Sequence, residues 1–150
     1  MTKYRLHDVK WWYWLATALL LAVYSAGWRP AIFATIALGA VQVVHFTARA
    51  GDAAAFPVQV RAAYLALLGA GLVPPFGFIH WVQLAGTWLM VLVGYCALAR
   101  ALSLLPWNRR QPLSLAFVRR TFLAPPVRGC IVEAMNRPPA FAPGMAGAAP

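Results

Sequence analysis

The feature that most constrains this chain is an uncharged stretch over residues 80–100. No acidic or basic residue lies between His80 and Arg100, and aromatic side chains mark the start of the stretch. A helix rises about 1.5 Å per residue, so a helix over this stretch is long enough to cross the ~30 Å hydrocarbon core of a bilayer. The stretch therefore predicts a membrane-spanning helix in an integral membrane protein.

The composition favours the same class of protein. Hydrophobic residues make up 62% of the chain, whereas soluble domains contain about 45–50% even when glycine is counted. The only acidic residues are Asp8, Asp52 and Glu133, and none of them lies within an apolar run. A chain of 150 residues has room for one small helical bundle and none for a separate soluble catalytic domain.

Four apolar runs follow one another along the chain, separated by short turn signals. Arg29 and Pro30 separate the first two runs, Gly51 and Asp52 lie between the second and third, and a double proline precedes the fourth. The predicted spans cover residues 11–28, 31–48, 58–73 and 79–100. The predicted fold class is therefore an all-α integral membrane protein whose four transmembrane helices form two tight antiparallel hairpins over residues 1–105.

The start of the chain also has the outline of a secretory signal. Lys3, Arg5 and Lys10 precede an apolar run, and residues 24–27 resemble a cleavage site. No soluble mature domain follows this run, so we expect an uncleaved first span.

The basic residues predict the orientation in the membrane. Only Arg29 lies in the two turns on one side of the predicted bundle. The other side carries Lys3, Arg5, Lys10, Arg49, Arg61, Arg100, Arg109, Arg110, Arg119, Arg120 and Arg128. Cytoplasmic loops are enriched in Lys and Arg, so both termini are expected in the cytoplasm, with the protein in a bacterial inner membrane. The net charge of +10 then reflects topology and anionic lipid headgroups, and nucleic acid is not an expected partner.

The chain changes character in residues 106–150, which are predicted to form a basic interfacial segment and an extended tail. Residues 112–123 predict a short cytoplasmic surface helix, because Leu115, Val118 and Phe122 share one face at helical spacing. Residues 136–150 are rich in Pro, Ala and Gly and predict an extended tail. The side chains expected to contact lipid headgroups or a partner are Arg109, Arg110, Arg119 and Arg120.

The sequence contains no catalytic or metal-binding motif. It lacks a Gly-rich phosphate loop, a Cys-x-x-Cys pair, a His-Glu-x-x-His motif and paired carboxylates. The two cysteines, Cys96 and Cys130, are expected to be reduced and structural. We therefore expect neither an enzyme nor a metal site.

A polar cluster in the second span leaves two interpretations open. Gln42, His45 and Arg49 are spaced by three and four residues, which places them on one helical face. In the functional interpretation His45 ligates a haem or a bacteriochlorophyll, or takes part in a proton path. In the structural interpretation, which we favour, His45 hydrogen-bonds Gln42 or a neighbouring helix. His80 lies near the opposite membrane face and is expected to anchor there beside Trp81.

The fourth span carries a stripe of small and uncharged polar residues. The stripe consists of Gln83, Thr87, Met90 and Gly94, and Gly86 lies beside it. Small residues let helices approach closely, and Gln and Thr can hydrogen-bond between helices. The stripe therefore predicts a packing or partner-contact surface, with a transport path as the alternative.

These observations favour a non-catalytic accessory subunit of a larger inner-membrane complex. Its expected partners are other integral membrane subunits, and its size and aromatic content favour a respiratory or photosynthetic assembly. Two alternatives stay open. One is a small homo-oligomeric transporter or channel, and the other is a membrane protein that binds haem or bacteriochlorophyll through a single histidine.

Overall fold

A computed structural model describes residues 8–126 and 130–136 of the chain. All regular structure in these two ranges is helical, and neither range contains a strand. The helices are α1 (Val9–Ser25), α2 (Ala31–Ala50), α3 (Phe56–Ala70), α4 (Phe78–Val93), α5 (Ala97–Ser103), α6 (Leu115–Leu123) and α7 (Ile131–Asn136). The prediction of an all-α protein is confirmed. The predicted tail beyond residue 136, Lys3, Arg5 and Arg128 lie outside the described residues.

The first four helices form an antiparallel bundle. α1 packs against α2 and α4, and α2 packs against α3, whereas α3 and α4 touch along a shorter seam. The indole Nε1 of Trp11 at the start of α1 donates to the carbonyl of Val91 near the end of α4 (3.2 Å). The central core of this bundle is Trp14, Ala18, Leu21, Ile32, Tyr64, Leu68 and Val91.

One of these helices is by itself long and apolar enough to cross a membrane. That helix is α2, with 20 residues. Helices α1, α3 and α4 have 17, 15 and 16 residues, whereas a typical span needs about 20. α4 and α5 taken together would also be long and apolar enough to cross a membrane, but a bend of 98° separates the two helices. Length and composition within the described residues thus support one span, or two if the bent pair counts as one.

The continuous helix predicted over residues 79–100 is wrong, because the chain breaks between α4 and α5. Gly94 ends α4 in the left-handed conformation (φ 82°), and its N–H bonds the carbonyl of Met90 (2.9 Å). Only glycine adopts this conformation at low cost. Cys96 is then extended, and its sulfur accepts the N–H of Ala99 (3.4 Å) at the start of α5. The break has neither a proline nor a charge to mark it in the sequence.

Helices α5, α6 and α7 build a second, smaller core. Phe117, Ile131 and Met135 are buried together there. The surface helix predicted over residues 112–123 is present as α6, and the hydroxyl of Ser114 caps it by accepting the N–H of Phe117 (3.1 Å). α7 had no counterpart among the predicted helices. Both cysteines, Cys96 and Cys130, are free thiols.

A polar contact fixes the segment after α5 to the bundle. The amide oxygen of Gln59 on α3 accepts the indole N–H of Trp107 (3.2 Å) and the amide of Asn108 (2.8 Å). The Asn108 amide also donates to the carbonyl of Leu102 (2.9 Å). The smaller core is therefore tied to the end of the bundle where α2 ends and α3 begins.

Candidate ligand cavity

A cavity of about 320 Å³ lies beside the bend between α4 and α5. It occupies the place where α3 and α4 separate, and α5 and α6 complete its wall. The residues that line it include Trp14, Tyr64, Gln83, Gly86, Thr87, Met90, Cys96 and Phe122. Its volume falls at the lower end of the range of about 300–1,000 Å³ that is usual for small-molecule sites.

The polar wall of the cavity is a chain of hydrogen bonds between α3 and α4. Gln83 Nε2 donates to the carbonyl of Tyr64 (3.0 Å), and the hydroxyl of Thr87 donates to the carbonyl of Gln83 (2.6 Å). The Thr87 proton is thereby used, so the phenol of Tyr64 is the donor in its 2.8 Å contact with Thr87 Oγ1. Both hydroxyl protons are committed within the wall.

One acceptor in this wall has no partner. The amide oxygen of Gln83 is buried, and no hydrogen bond to it is found among the described residues. The orientation of this amide is fixed, since a carbonyl can only accept and Nε2 must face Tyr64. A buried unpaired acceptor is costly in an apolar environment.

The structure places the predicted stripe of α4 in three different environments. Gln83 and Thr87 contact α3, as a packing interaction requires. Gly86 and Met90 line the cavity, and a Cβ added at Gly86 would meet nothing within 4 Å. Gly94 is exposed and ends α4. Gly86 therefore leaves open space on this side of α4, and within the described chain no helix packs closely against it.

The polar cluster predicted on the second span does not form a single site. Gln42 is buried, and its Nε2 donates to the hydroxyl of Thr17 on α1 (3.1 Å). His45 is half-buried with its ring edge against Tyr13 (centroids 5.7 Å apart), while Arg49 is exposed. No bond joins Gln42 to His45 in the described structure, and His45 Nε2 is buried without a hydrogen-bond partner there. His45 does not line the cavity.

His80 lies inside the bundle, so its predicted role as an interfacial anchor is wrong. Its side chain is 2% exposed, and Nε2 donates to the carbonyl of Leu68 (3.1 Å). The ring packs edge-on against Tyr24 (centroids 5.1 Å apart) and lies against Gly71. A Cβ at Gly71 would come within 2.5 Å of His80 Nε2. Because Gly71 has no side chain, the imidazole of His80 can occupy this space inside the bundle.

Arg61 also turns inward, although the charge pattern placed it among the basic residues of the predicted cytoplasmic side. The residue is 6% exposed, and its guanidinium carbon lies 3.5 Å from the centre of the Phe46 ring. One of its terminal nitrogens donates to the carbonyl of Pro57 (2.7 Å). Stacking on an aromatic face replaces part of the solvation that burial removes from the cation.

Arg100 and Tyr95, on either side of the start of α5, hold the end of α6 against the cavity. Arg100 is 2% exposed, and its guanidinium donates to the carbonyls of Thr121 and Pro125, the latter at 3.0 Å. The phenol of Tyr95 donates to the carbonyl of Phe122 (2.7 Å). A cation at a helix C-terminus satisfies free carbonyls and the helix dipole. These bonds keep Phe122 in the cavity wall.

The basic residues predicted to contact headgroups or a partner lie around α6. Arg110, Arg119 and Arg120 are exposed, and Arg109 is half-buried. Phe117 and Thr121 face the smaller core, whereas Leu115 is 86% exposed and Leu123 is 71% exposed. α6 thus presents an apolar and basic face outward, and its contact with lipid or a partner stays a prediction.

A search of the described ranges finds no group of three or more His, Cys, Asp or Glu side chains that could hold a metal ion. The chain matches no protein-family model, no curated protein and no solved structure. Its function must therefore be inferred from its own residues and geometry.

Proposed function

We propose that this chain is a four-span inner-membrane protein that serves as a non-catalytic accessory subunit of a larger membrane complex. The observation that carries the membrane part is the distribution of polar and apolar side chains over α1–α4. The polar side chains face the interior of the bundle, and large apolar side chains face outward. This distribution is the reverse of that expected for a bundle in water.

The outward faces of the bundle helices carry large apolar side chains. Val44 on α2 is 69% exposed, Phe33 is 66% exposed, and Leu92 on α4 is 67% exposed. On α1 the exposed side chains include Leu19 and Val23. A water-soluble bundle would place charges at such positions, whereas acyl chains solvate them without cost.

The interior carries the polar groups. Buried polar and charged residues of the bundle are Thr17, Thr35, Gln42, Arg61, His80, Gln83 and Thr87. Several of them bond across helices, as Gln42 does to Thr17 and Tyr64 does to Thr87. Polar side chains in membrane helices face the bundle and bond one another for the same reason.

The short helices are compatible with a bilayer that adjusts to them. A span shorter than the hydrocarbon core is accommodated by local thinning, at a cost of fractions of a kcal/mol per Å of mismatch. Trp12, Trp28 and Trp81 are exposed near helix ends, where indole rings occupy the interface. Lys10 and Arg49 lie at one end of the bundle and Arg29 at the other, which supports the cytoplasmic placement of both termini.

The accessory role is supported by the outward face of α6. Leu115 and Leu123 are exposed beside Arg119 and Arg120, although the small core beneath them already buries Phe117. This exposed apolar face of α6 is not used for packing within the chain. Such a face is typical of a contact with another component. At the cytoplasmic end of the bundle, that component is a membrane subunit or the inner leaflet.

Purification from native membranes in a mild detergent tests the accessory role. The wild-type chain should migrate with a complex much larger than its own 16.4 kDa. The double variant Leu115→Asp and Leu123→Asp should still insert and fold but migrate alone. A control substitution on the lipid-facing surface of α1–α4 would disturb insertion itself. The matched control is therefore Leu113→Asp, at an exposed position just before α6. A wild-type chain recovered only as a free homo-oligomer would favour the transporter or channel instead.

A second candidate is the single-histidine pigment protein, in which His45 would turn outward to become the axial ligand. His45 Nε2 is buried and no partner for it is found in the part of the chain that is described. The absorption spectrum of the natively purified protein tests this candidate. A Soret or near-infrared band that disappears in His45→Ala would support it, and a spectrum without either band would exclude His45 as an axial ligand.

A further inference from the structure

We infer that the cavity beside the α4–α5 bend holds one acyl chain of an anionic phospholipid, and that the phosphate of this lipid contacts Arg119 at the mouth of the cavity. The inference rests on the proposed insertion of α1–α4 in the membrane. It goes beyond the accessory role, because the residues that would hold the lipid all belong to this chain.

The lining of the cavity suits a hydrocarbon chain. Among the described residues, no charged side chain lines it, and Leu67, Val82 and Met90 are among the apolar ones that do. A charged group placed inside would lose its hydration without gaining a counter-ion. The part of an amphiphile that enters the cavity is therefore its apolar part.

The hydrogen-bonding groups of the wall do not require a polar ligand. The hydroxyls of Tyr64 and Thr87 bond each other, and the amide oxygen of Gln83 is buried. Trp14 and Cys96 also line the cavity and can donate hydrogen bonds. A free thiol nevertheless packs as a small apolar group, and an indole ring has a large apolar surface. An acyl chain can contact all of these groups without breaking a hydrogen bond that the wall already makes.

The cavity opens at the side of the bundle, on a surface that we propose to face lipid. Val82 on α4 and Ala97 and Ala101 on α5 line the cavity and are also exposed. α3 and α4 touch only along a short seam, so the gap between them is not closed by helix packing. In a bilayer, the molecules next to such an opening are lipids, and an acyl chain enters without crossing water.

The charge beside the opening favours an anionic headgroup. Arg119 is exposed and lies three residues before Phe122, a residue of the cavity wall, so the two share one side of α6. The sequence has no acidic residue between Asp52 and Glu133, so no carboxylate of α3–α6 opposes this cation. Basic side chains at the cytoplasmic side of a membrane protein bind anionic headgroups.

The test uses the full chain in phosphatidylcholine nanodiscs with a trace of phosphatidylglycerol that carries a diazirine on one acyl chain. Ultraviolet light attaches this probe, and mass spectrometry maps the labelled residues. Labelling should be stronger at Met90, which is half-buried in the cavity wall, than at Leu92, which is exposed on α4 outside the cavity. General contact with the bilayer would give the opposite order.

A matched pair of glycine variants tests whether the probe lies in the cavity. Gly86 lines the cavity, and a Cβ there would meet no atom within 4 Å, so Gly86→Leu should fill the space and remove the labelling of Met90. Gly69→Leu should keep it. Gly69 is also helical, and a Cβ there would likewise meet no atom within 4 Å, but it is exposed and does not line the cavity.

A phosphatidylcholine probe with the same acyl chains tests the headgroup. The phosphatidylglycerol probe should label Met90 about five-fold more strongly, because the choline cation offsets the phosphate charge that Arg119 attracts. Arg119→Gln should remove this preference. Arg120→Gln should retain it, because Arg120 is exposed but lies two residues before Phe122 and so faces away from it.

Four results would overturn the inference. They are equal labelling of Met90 and Leu92, labelling of Met90 that survives Gly86→Leu, equal labelling by the two headgroups, and loss of labelling in Trp14→Phe or Cys96→Ala. Circular dichroism checks that the last two variants fold, and a loss there would mean that the ligand accepts a hydrogen bond. None of these results touches the proposed function, whereas a chain absent from the membrane fraction would overturn both.

Discussion

At the scale of single residues, the contact between Gly71 and His80 decides how the end of the bundle packs. The imidazole occupies the volume that any side chain at Gly71 would need. No local motif in the sequence pairs these positions, which lie on either side of the α3–α4 turn. The position of His80 beside Trp81 instead favours an interfacial anchor. That prediction rests on the residue next to His80 in sequence and not on the residues that pack against it in the fold.

Gly71→Ala should destabilise the protein. The new methyl group would lie 2.5 Å from His80 Nε2, so the ring must move and lose its bond to Leu68. Overpacking of this kind costs about 1–3 kcal/mol. Thermal unfolding in detergent, followed by circular dichroism, measures the effect.

The control for this substitution lies two residues away. Gly69→Ala adds a methyl group that meets no atom within 4 Å, near the end of a helix. Its expected effect is neutral or a stabilisation of up to about 1 kcal/mol. Equal losses in the two variants would show that loss of glycine flexibility, rather than the His80 contact, is responsible.

At the scale of helices, the predictions succeeded where hydrophobic runs are long and failed where a single residue redirects the chain. The four runs separated by turn signals correspond to α1–α4, and the amphipathic spacing around Leu115 corresponds to α6. The break at Gly94 was missed, because a glycine within an apolar run is also typical of helix packing. α7 was missed because six residues carry too little periodic signal.

The candidate site was only partly predictable for a related reason. Of the predicted stripe, Gln83 and Thr87 form hydrogen bonds with Tyr64 on α3. That Gly86 faces a cavity depends on the 98° bend after α4 and on Phe122, which is distant in sequence. The spacing of residues within α4 predicts neither the bend nor the position of Phe122.

Arg100→Met should loosen α6 from the rest of the molecule. The variant keeps the apolar stem but leaves the carbonyls of Thr121 and Pro125 without their shared donor. Loss of a buried hydrogen-bond donor costs about 1–3 kcal/mol. Limited proteolysis should therefore cut near residues 121–125 faster than in the wild-type protein.

Arg120→Met is the matched control, because Arg120 lies on the same small unit but is exposed. Exposed substitutions usually change stability by less than about 0.5 kcal/mol. Unchanged proteolysis in Arg100→Met would mean that the packing of Phe117 alone holds α6 in place.

At the scale of the whole molecule, the outward apolar and inward polar faces agree with the charge distribution. In the proposed topology the apolar faces contact lipid, and the basic residues mark the cytoplasmic end. Neither observation depends on the length of any one helix. They are the basis on which we propose four spans, whereas α2 is the one described helix that is by itself long and apolar enough to cross a membrane.

Cysteine labelling of the loops tests the number of spans and their orientation. In a background with Cys96→Ala and Cys130→Ala, a membrane-impermeant maleimide should label Val73→Cys in intact spheroplasts, since this exposed turn is on the predicted periplasmic side. Ala53→Cys, in the exposed loop between α2 and α3, should be labelled only after lysis. Labelling of both positions in intact spheroplasts would contradict the four-span topology.

The bonds from Arg100 and Tyr95 to the end of α6 have a consequence for biosynthesis. The ribosome makes the chain from the N-terminus, so α1–α4 leave it before Phe122 does. The bundle can therefore form while its cavity still lacks one wall. The last segment then closes that wall when Tyr95 and Arg100 bind the carbonyls of residues 121, 122 and 125. The wall of the cavity is therefore complete only once this segment has folded against α5.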